Sequence, residues 1–289
     1  MLNKVQINNF KKNGFIKIPN FLNSHEIKAL QNSLDLSREK KLKKETYVSI
    51  DDQNIVDFLC NKRLKEILSL LIGPKVYFLH DIGVLDGPIY QTGAWHRDNP
   101  CRRTGTGPDW SDKEEYNVVS TAVYLCDSKK TKSSLSVIPK SHLLNYSSKL
   151  SNILRVIHLR IKHLKFLTPI RKIIQFMIAK EVYYKPGDLI IFLCTLYHKG
   201  SITNISDEKV NREGIISRYG GEGKHYKNFM NYELNYRYGK EKFLLSKNSK
   251  EYFDRLKEND IYVSPDIKKD KIEGIFLQKN SASDHLIKK

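Results

Sequence analysis

Short apolar runs rich in Val, Ile, Tyr and Phe, each closed by turn residues, constrain this chain more than any other feature. Residues 76–79, 118–125 and 135–138 form one block of such runs, bounded by Gly, Pro, Asp and Ser. Residues 181–184, 188–194 (after the turn Pro186-Gly187) and 214–219 form a second. β-branched and aromatic residues at this length favour strands, and turns between them favour antiparallel pairing over a parallel α/β sheet. The pattern therefore predicts a mainly β sandwich or jelly roll.

The flanks read differently. Up to about residue 75 the periodicity is helical, broken once by Phe15-Ile16-Lys17-Ile18-Pro19, which alternates as a short strand does. Asn23 or Ser24 is the N-cap candidate for the helix that follows, and an apolar helix is expected over 55–72, stopping at Gly73-Pro74. Beyond about residue 221 the chain is polar, rich in Lys, Asn and Tyr, without strong periodicity. One domain over 1–289 is expected, with a helical insertion at about 143–180 and a polar C-terminal extension from about 221.

The insertion is basic. Residues 128–180 contain no Asp or Glu, while Lys and Arg recur throughout. On a helical wheel Ile153, Leu154, Val156, Ile157, Ile161, Leu164 and Leu167 share one face, and Arg155, His158, Lys162 and Lys165 the opposite one, with Arg160 as an outlier. Pro169 breaks this pattern before a second short helix over 170–179. Such an element either packs on the domain with a solvated basic face or lies on an anionic membrane, here through 150–180. The whole chain carries 50 Lys+Arg against 32 Asp+Glu, a net +18, which favours anionic partners, although a Lys- and Asn-rich composition alone raises charge. Nucleic acid is not expected, because strand-tracking surfaces interleave aromatics with the basic residues and this one interleaves aliphatics.

Cys60, Cys101, Cys126 and Cys194 show no CxxC spacing, which argues against a structural zinc site and a disulfide scaffold. No run approaches the roughly 18 apolar residues of a bilayer span, and the N-terminal residues lack the apolar core of a secretory signal. The expected location is cytoplasmic, peripheral to the inner face of the membrane if the basic insertion touches it.

Chemistry concentrates at Trp95-His96-Arg97-Asp98. In an extended run His96 and Asp98 project to the same side, as two ligands of a facial metal site would. About a hundred residues on, Pro186-Gly187-Asp188 leads into an apolar strand, followed by His198, Asn204 and Arg212. An arginine on a core strand cannot lose its charge and needs a carboxylate, from the protein or from a ligand.

These blocks, with Asn13-Gly14-Phe15-Ile16-Lys17-Ile18-Pro19-Asn20-Phe21-Leu22 and the turn Val137-Ile138-Pro139-Lys140-Ser141-His142, resemble the phytanoyl-CoA dioxygenase family of iron(II)- and 2-oxoglutarate-dependent oxygenases, in order over roughly residues 8–220. The resemblance implies a double-stranded β-helix (jelly roll, cupin-like) with N-terminal helices. It implies His96, Asp98 and His198 on iron(II), with 2-oxoglutarate and O2 as co-substrates and Arg212 on the far carboxylate. It implies hydroxylation of an unactivated C–H bond, with 2-oxoglutarate decarboxylated to succinate and CO2. Two departures stand out: Asp86-Gly87 replaces a basic residue common in the family about ten positions before the metal histidine, and the interval from His198 to Arg212 is longer than usual, leaving Arg218 as an alternative to Arg212. Asp98 is present, which favours hydroxylation over halogenation.

Gln91 and Tyr124 are further candidates for the co-substrate pocket. Arg97, Arg102, Arg103 and Trp110 are candidates for binding an anionic substrate, small or lipid-linked. His142 reads as structural, and His80, His158 and His163 lack ligand spacing. The alternative from another class is a non-catalytic membrane or anion-binding protein on the same scaffold.

Overall fold

Helices come first, as the periodicity requires. The computed structural model describes residues 2–42, 52–85, 88–89, 95–99, 115–143, 157, 168–202, 210–232, 249–263 and 276–277. Helix α1 (Lys4–Asn13) opens on a capping box: the Gln6 amide donates to Asn3 Oδ1 and the Asn3 amide to Gln6 Oε1, both at 2.9 Å. It ends at Gly14, whose φ of 81° and tight approach to His142 exclude a Cβ. Strand β1 (Phe15–Ile18) follows, then α2 (Ser24–Leu42). Asn23 caps α2, accepting from the Glu26 amide at 2.9 Å.

The helix expected over 55–72 is two helices, α3 (Gln53–Leu59) and α4 (Lys62–Ile72). Asn61 causes the break by accepting from the Leu64 amide at 3.2 Å, an N-cap inside a continuous apolar pattern. Leu64, Leu68, Leu71 and Ile72 bury the inner stripe of α4. Each such burial stabilises by roughly 1.5–3 kcal/mol.

The strands are β2 (Val76–Leu85), β3 (Pro88–Ile89), β4 (Val118–Tyr124) and β5 (Ser133–Val137). After helix α5 (Thr168–Ile178) come β6 (Lys180–Val182), β7 (Leu189–Leu193), β8 (His198–Ile202), β9 (Val210–Asn211) and β10 (Gly214–Gly221). Helices α6 (Lys224–Tyr232) and α7 (Ser249–Glu258) and strands β11 (Ile261–Val263) and β12 (Phe276–Leu277) complete the order. The larger sheet runs β1-β7-β4-β10-β2-β11, with β12 also on β2; a second runs β6-β5-β8; and β3 pairs β9.

Alternation along the strands divides the core. Val119, Val123, Ile191, Ile215 and Tyr219 face outward under α1–α4, packing with Phe10, Leu30, Leu34 and Leu68. Ala122, Tyr124, Ile190 and Phe192 face inward and meet Leu135, Val137 and Val182 of the second sheet. This is the double-stranded β-helix anticipated, mainly β with flanking helices.

The polar tail contributes more than its composition suggested. Helix α6 covers the end of β2 and β4 through Phe229 and Met230, and Tyr226 stacks on Tyr77 with centroids 4.1 Å apart. Strand β11 lengthens the sheet parallel to β2. Most of the insertion, including the wheel over 153–167, lies outside the described residues except Ile157; α5 matches the second short helix expected there.

Candidate metal centre

His96 and His198 are joined through their backbones. Each donates its amide to the other's carbonyl at 3.0 Å, an isolated antiparallel bridge between the loop after β3 and the start of β8. The two rings consequently lie side by side, centroids 4.3 Å apart. Two residues after His96 the chain returns to the same face, and Asp98 Oδ1 stands 3.8 Å from His96 Nε2 and 3.7 Å from His198 Nε2. One donor atom from each of the three residues falls within 4.8 Å of the others. The Asp98 and His198 side chains are 8% and 7% exposed but His96 is 54% exposed, so the cluster opens to solvent on the His96 side.

The donor atoms are oriented for coordination. His198 Nδ1 donates to the Leu196 carbonyl at 3.0 Å, which leaves Nε2 as the lone-pair nitrogen facing Asp98. Burial pushes His198 down to about 4, against the opposing pull of Asp98, so the ring is neutral at neutral pH. Asp98 Oδ2 accepts from Ser120 Oγ at 2.5 Å, turning Oδ1 toward the imidazoles. Arg218 reaches the same carboxylate, Nη2 to Oδ1 at 3.2 Å and Nε to Oδ2 at 3.4 Å. Register explains the convergence: Arg218 lies directly across from Ser120 in the antiparallel β4–β10 pair, so both project inward at one level.

Arg212 sits elsewhere in the interior. Its guanidinium lies against the backbone of Gly200, where any Cβ would collide with Nη1. Its Nε is buried with no partner among the described residues. The charge bears on Tyr124, which burial pushes up to about 12 while Arg212 pulls it down, and on Tyr184, also raised by burial. Tyr124 and Tyr184 stack face to face, centroids 3.5 Å apart, and Tyr184 shares a 2.7 Å hydrogen bond with Ser133. A half-buried guanidinium beside two buried phenols is a setting that a carboxylate would complement.

Of the residues singled out from sequence, His96, Asp98 and His198 come together, and Arg212 and Tyr124 share the interior beyond them. Arg218, the alternative to Arg212, is committed to Asp98 instead. Arg97 points to the opposite side from His96: Nη2 donates to the Ser141 carbonyl at 2.6 Å and the guanidinium lies 4.3 Å over the Tyr197 ring. His142 is structural as expected, donating from Nε2 to the Lys11 carbonyl at 3.0 Å. Gln91, Arg102, Arg103, Trp110, Asp86-Gly87, His158, His163 and Asn204 lie outside the described residues, as does the His80 side chain. Sequence reasoning did not single out Ser120, Gly200 or Tyr184. Ser120 had a positional signal, an inward place on β4 opposite Arg218; Gly200, on β8 and paired with Leu135, and Tyr184, just past the end of β6, had none.

Two imidazoles and a carboxylate converging within 4.8 Å on a double-stranded β-helix are the arrangement of the 2-oxoglutarate-dependent oxygenase class. Residues 10–212 match the family model described as Phytanoyl-CoA dioxygenase, and the chain belongs to that family. Solved structures share the fold. The non-heme alpha ketoglutarate dependent epimerase SnoN from nogalamycin biosynthesis is 14% identical over 75% of this chain and 82% of its own, TM-score 0.51. EctD from S. alaskensis, solved with 2-oxoglutarate and 5-hydroxyectoine, is 18% identical over 76% of each chain, TM-score 0.52. HygX from Streptomyces hygroscopicus, with nickel and 2-oxoglutarate bound, is 17% identical over 76% of this chain and 87% of its own, TM-score 0.51. Comparison with curated proteins finds no match.

Proposed function

We propose that this single-domain chain, 1–289, is an iron(II)- and 2-oxoglutarate-dependent dioxygenase that hydroxylates an unactivated C–H bond of a small or lipid-linked anionic substrate. The observation that carries the reading is the placement of His96, Asp98 and His198 around one point, with the Arg212 guanidinium in the same interior. Two imidazoles and a carboxylate with its second oxygen already bonded are the donor set that iron(II) takes while keeping positions open. An iron(II) ion held there would supply the oxidation of a C–H bond, coupled to the conversion of 2-oxoglutarate and O2 to succinate and CO2.

The residues of this chain do the rest. His96, Asp98 and His198 would hold the ion, with Ser120 and Leu196 fixing two of them in place. Arg212 would grip the distal carboxylate of 2-oxoglutarate against Gly200, with Tyr124 walling the pocket. The opening beside His96 gives the substrate its approach, while the buried side keeps water from the reacting atoms. A cytoplasmic chain at the inner face of an anionic membrane, touching it through 150–180, is the setting this reading assigns.

Succinate formation from 2-oxoglutarate, with iron(II) and ascorbate, tests the enzyme. Wild type is expected to form succinate, with His96→Ala and Asp98→Ala at the blank. Wild-type succinate no higher than that of His96→Ala would leave only a non-catalytic anion- or membrane-binding protein on this scaffold.

A further inference from the structure

Helix α5 carries a surface that the oxygenase chemistry does not use. Ile170, Ile173 and Met177 are 50%, 62% and 61% exposed, and steps of three and four residues put them on one side of the helix. Ile174, 6% exposed, faces the body of the protein. Among the described side chains of the helix, Ile174 is buried while Ile170, Ile173 and Met177 are offered to solvent. Single exposed apolar residues are ordinary, but a contiguous row marks a binding surface.

Charge decides what that surface binds. Residues 128–180 hold 12 Lys and Arg and no acid, Arg171 and Lys172 fall within the helix, and exposed Lys180 follows it. Exposed Tyr183 lies just beyond, on the chain leaving the edge strand β6, and Lys17 Nζ donates to its carbonyl at 3.0 Å. The first acid, Glu181, accepts hydrogen bonds from Ser134 and Ser136. A second copy of the chain would set like charge against like charge. A nucleic acid would leave the isoleucines in water. An anionic lipid surface satisfies both the aliphatic row and the basic residues that the sequence puts in α5 and at Lys180, and the exposed Tyr183 phenol suits the headgroup layer. No described helix is long and apolar enough to cross a membrane.

We infer that α5 docks this protein on an anionic lipid bilayer, with Ile170, Ile173 and Met177 entering the headgroup–acyl boundary. The inference deepens the partner named in the proposed function and names its contact. It stands apart from the iron chemistry, because lipid binding and succinate formation are read separately.

Co-sedimentation of the full chain with phosphatidylcholine vesicles, with and without phosphatidylserine, tests it. Wild type is expected to bind the phosphatidylserine vesicles at least tenfold better, and Ile173→Asp and Met177→Asp to lose about tenfold of that binding, in line with removing buried apolar area. Both positions are solvent-exposed, so an unchanged melting temperature and unchanged succinate formation in solution are expected. Equal binding to the two vesicle types, or full binding by both variants, overturns the inference. So does a wild-type dimer in gel filtration that Ile173→Asp dissociates without any vesicle binding, which would make the stripe a self-association surface. For a variant that does melt lower, Ile173→Ser supplies the same comparison without an added charge.

Discussion

Arg218 Nη2 lies 3.2 Å from Oδ1 of Asp98, the oxygen that also faces both histidines. A buried guanidinium thus neutralises the ligand carboxylate on the flank where Ser120 also holds it. Removing one member of a buried pair strands the other charge, at a cost of about 3–5 kcal/mol. Arg218→Met is therefore expected to destabilise the metal-free protein by about 3 kcal/mol, the low end because Ser120 remains. A divalent ion relieves the stranded carboxylate, so cobalt(II) should raise the melting temperature of the variant more than that of wild type. Equal metal-free stability, or an equal cobalt-induced rise, counts against this account.

Gly200 lets Arg212 lie flat on the β8 backbone. A methyl group at that position displaces the guanidinium while leaving His96, Asp98 and His198 in place. Gly200→Ala should raise the KM for 2-oxoglutarate by about tenfold or more, the scale of losing one good bidentate contact. Its cobalt(II) affinity by calorimetric titration should stay within about twofold of wild type. A KM that does not move would place the co-substrate's carboxylate elsewhere.

Asp188 is a hub rather than a reactive group. It is 1% exposed, accepts from the Lys185 and Asn20 amides at 2.9 and 3.0 Å, and pairs with Lys17 at 3.0 Å. Asp188→Ala leaves two amides unanswered and removes the carboxylate beside the Lys17 ammonium, and should cost about 3 kcal/mol in chemical denaturation. A variant as stable as wild type would show that these contacts contribute nothing net.

His142 sets an acid limit. Burial lowers it to about 4, against the hydrogen bond to Lys11. The unfolded chain, with an ordinary histidine near 6.5, binds the proton first, so stability is full above about pH 6.5 and falls as the pH drops toward 4. The shift corresponds to a loss on the order of 3 kcal/mol across that window. His142→Gln keeps an Nε donor toward Lys11 without the titration, and its denaturation midpoint should fall less steeply over the same range. Parallel pH profiles for the two proteins would refute this.

The candidate metal ligands were legible because a period of two puts His96 and Asp98 on one side of any extended run, whatever the fold. His198 was found as a residue but not as part of a strand. The run His198-Lys199-Gly200-Ser201-Ile202 lacks the apolar alternation of its neighbours, since Gly200 makes room for a guanidinium and Ser201 bonds Ser136 on the other face. Arg212 and Arg218 could not be told apart locally. Six residues separate them, an even number that keeps both on the inner face, and only the pairing of β10 with β4 sends one to Asp98. The break at Asn61 was hidden by apolar residues continuing through it. Strand β11 was hidden because its partner, β2, lies far back in the chain and leaves no trace in nearby residues.

The reciprocal amide bonds between His96 and His198 mean that the distance between these two imidazole-bearing positions is written in main chain, which no point substitution alters directly. Side chains lining the substrate's approach can then drift, one at a time, toward a new compound while the grip on the ion stays in tune. Selectivity and reactivity can evolve on separate schedules here.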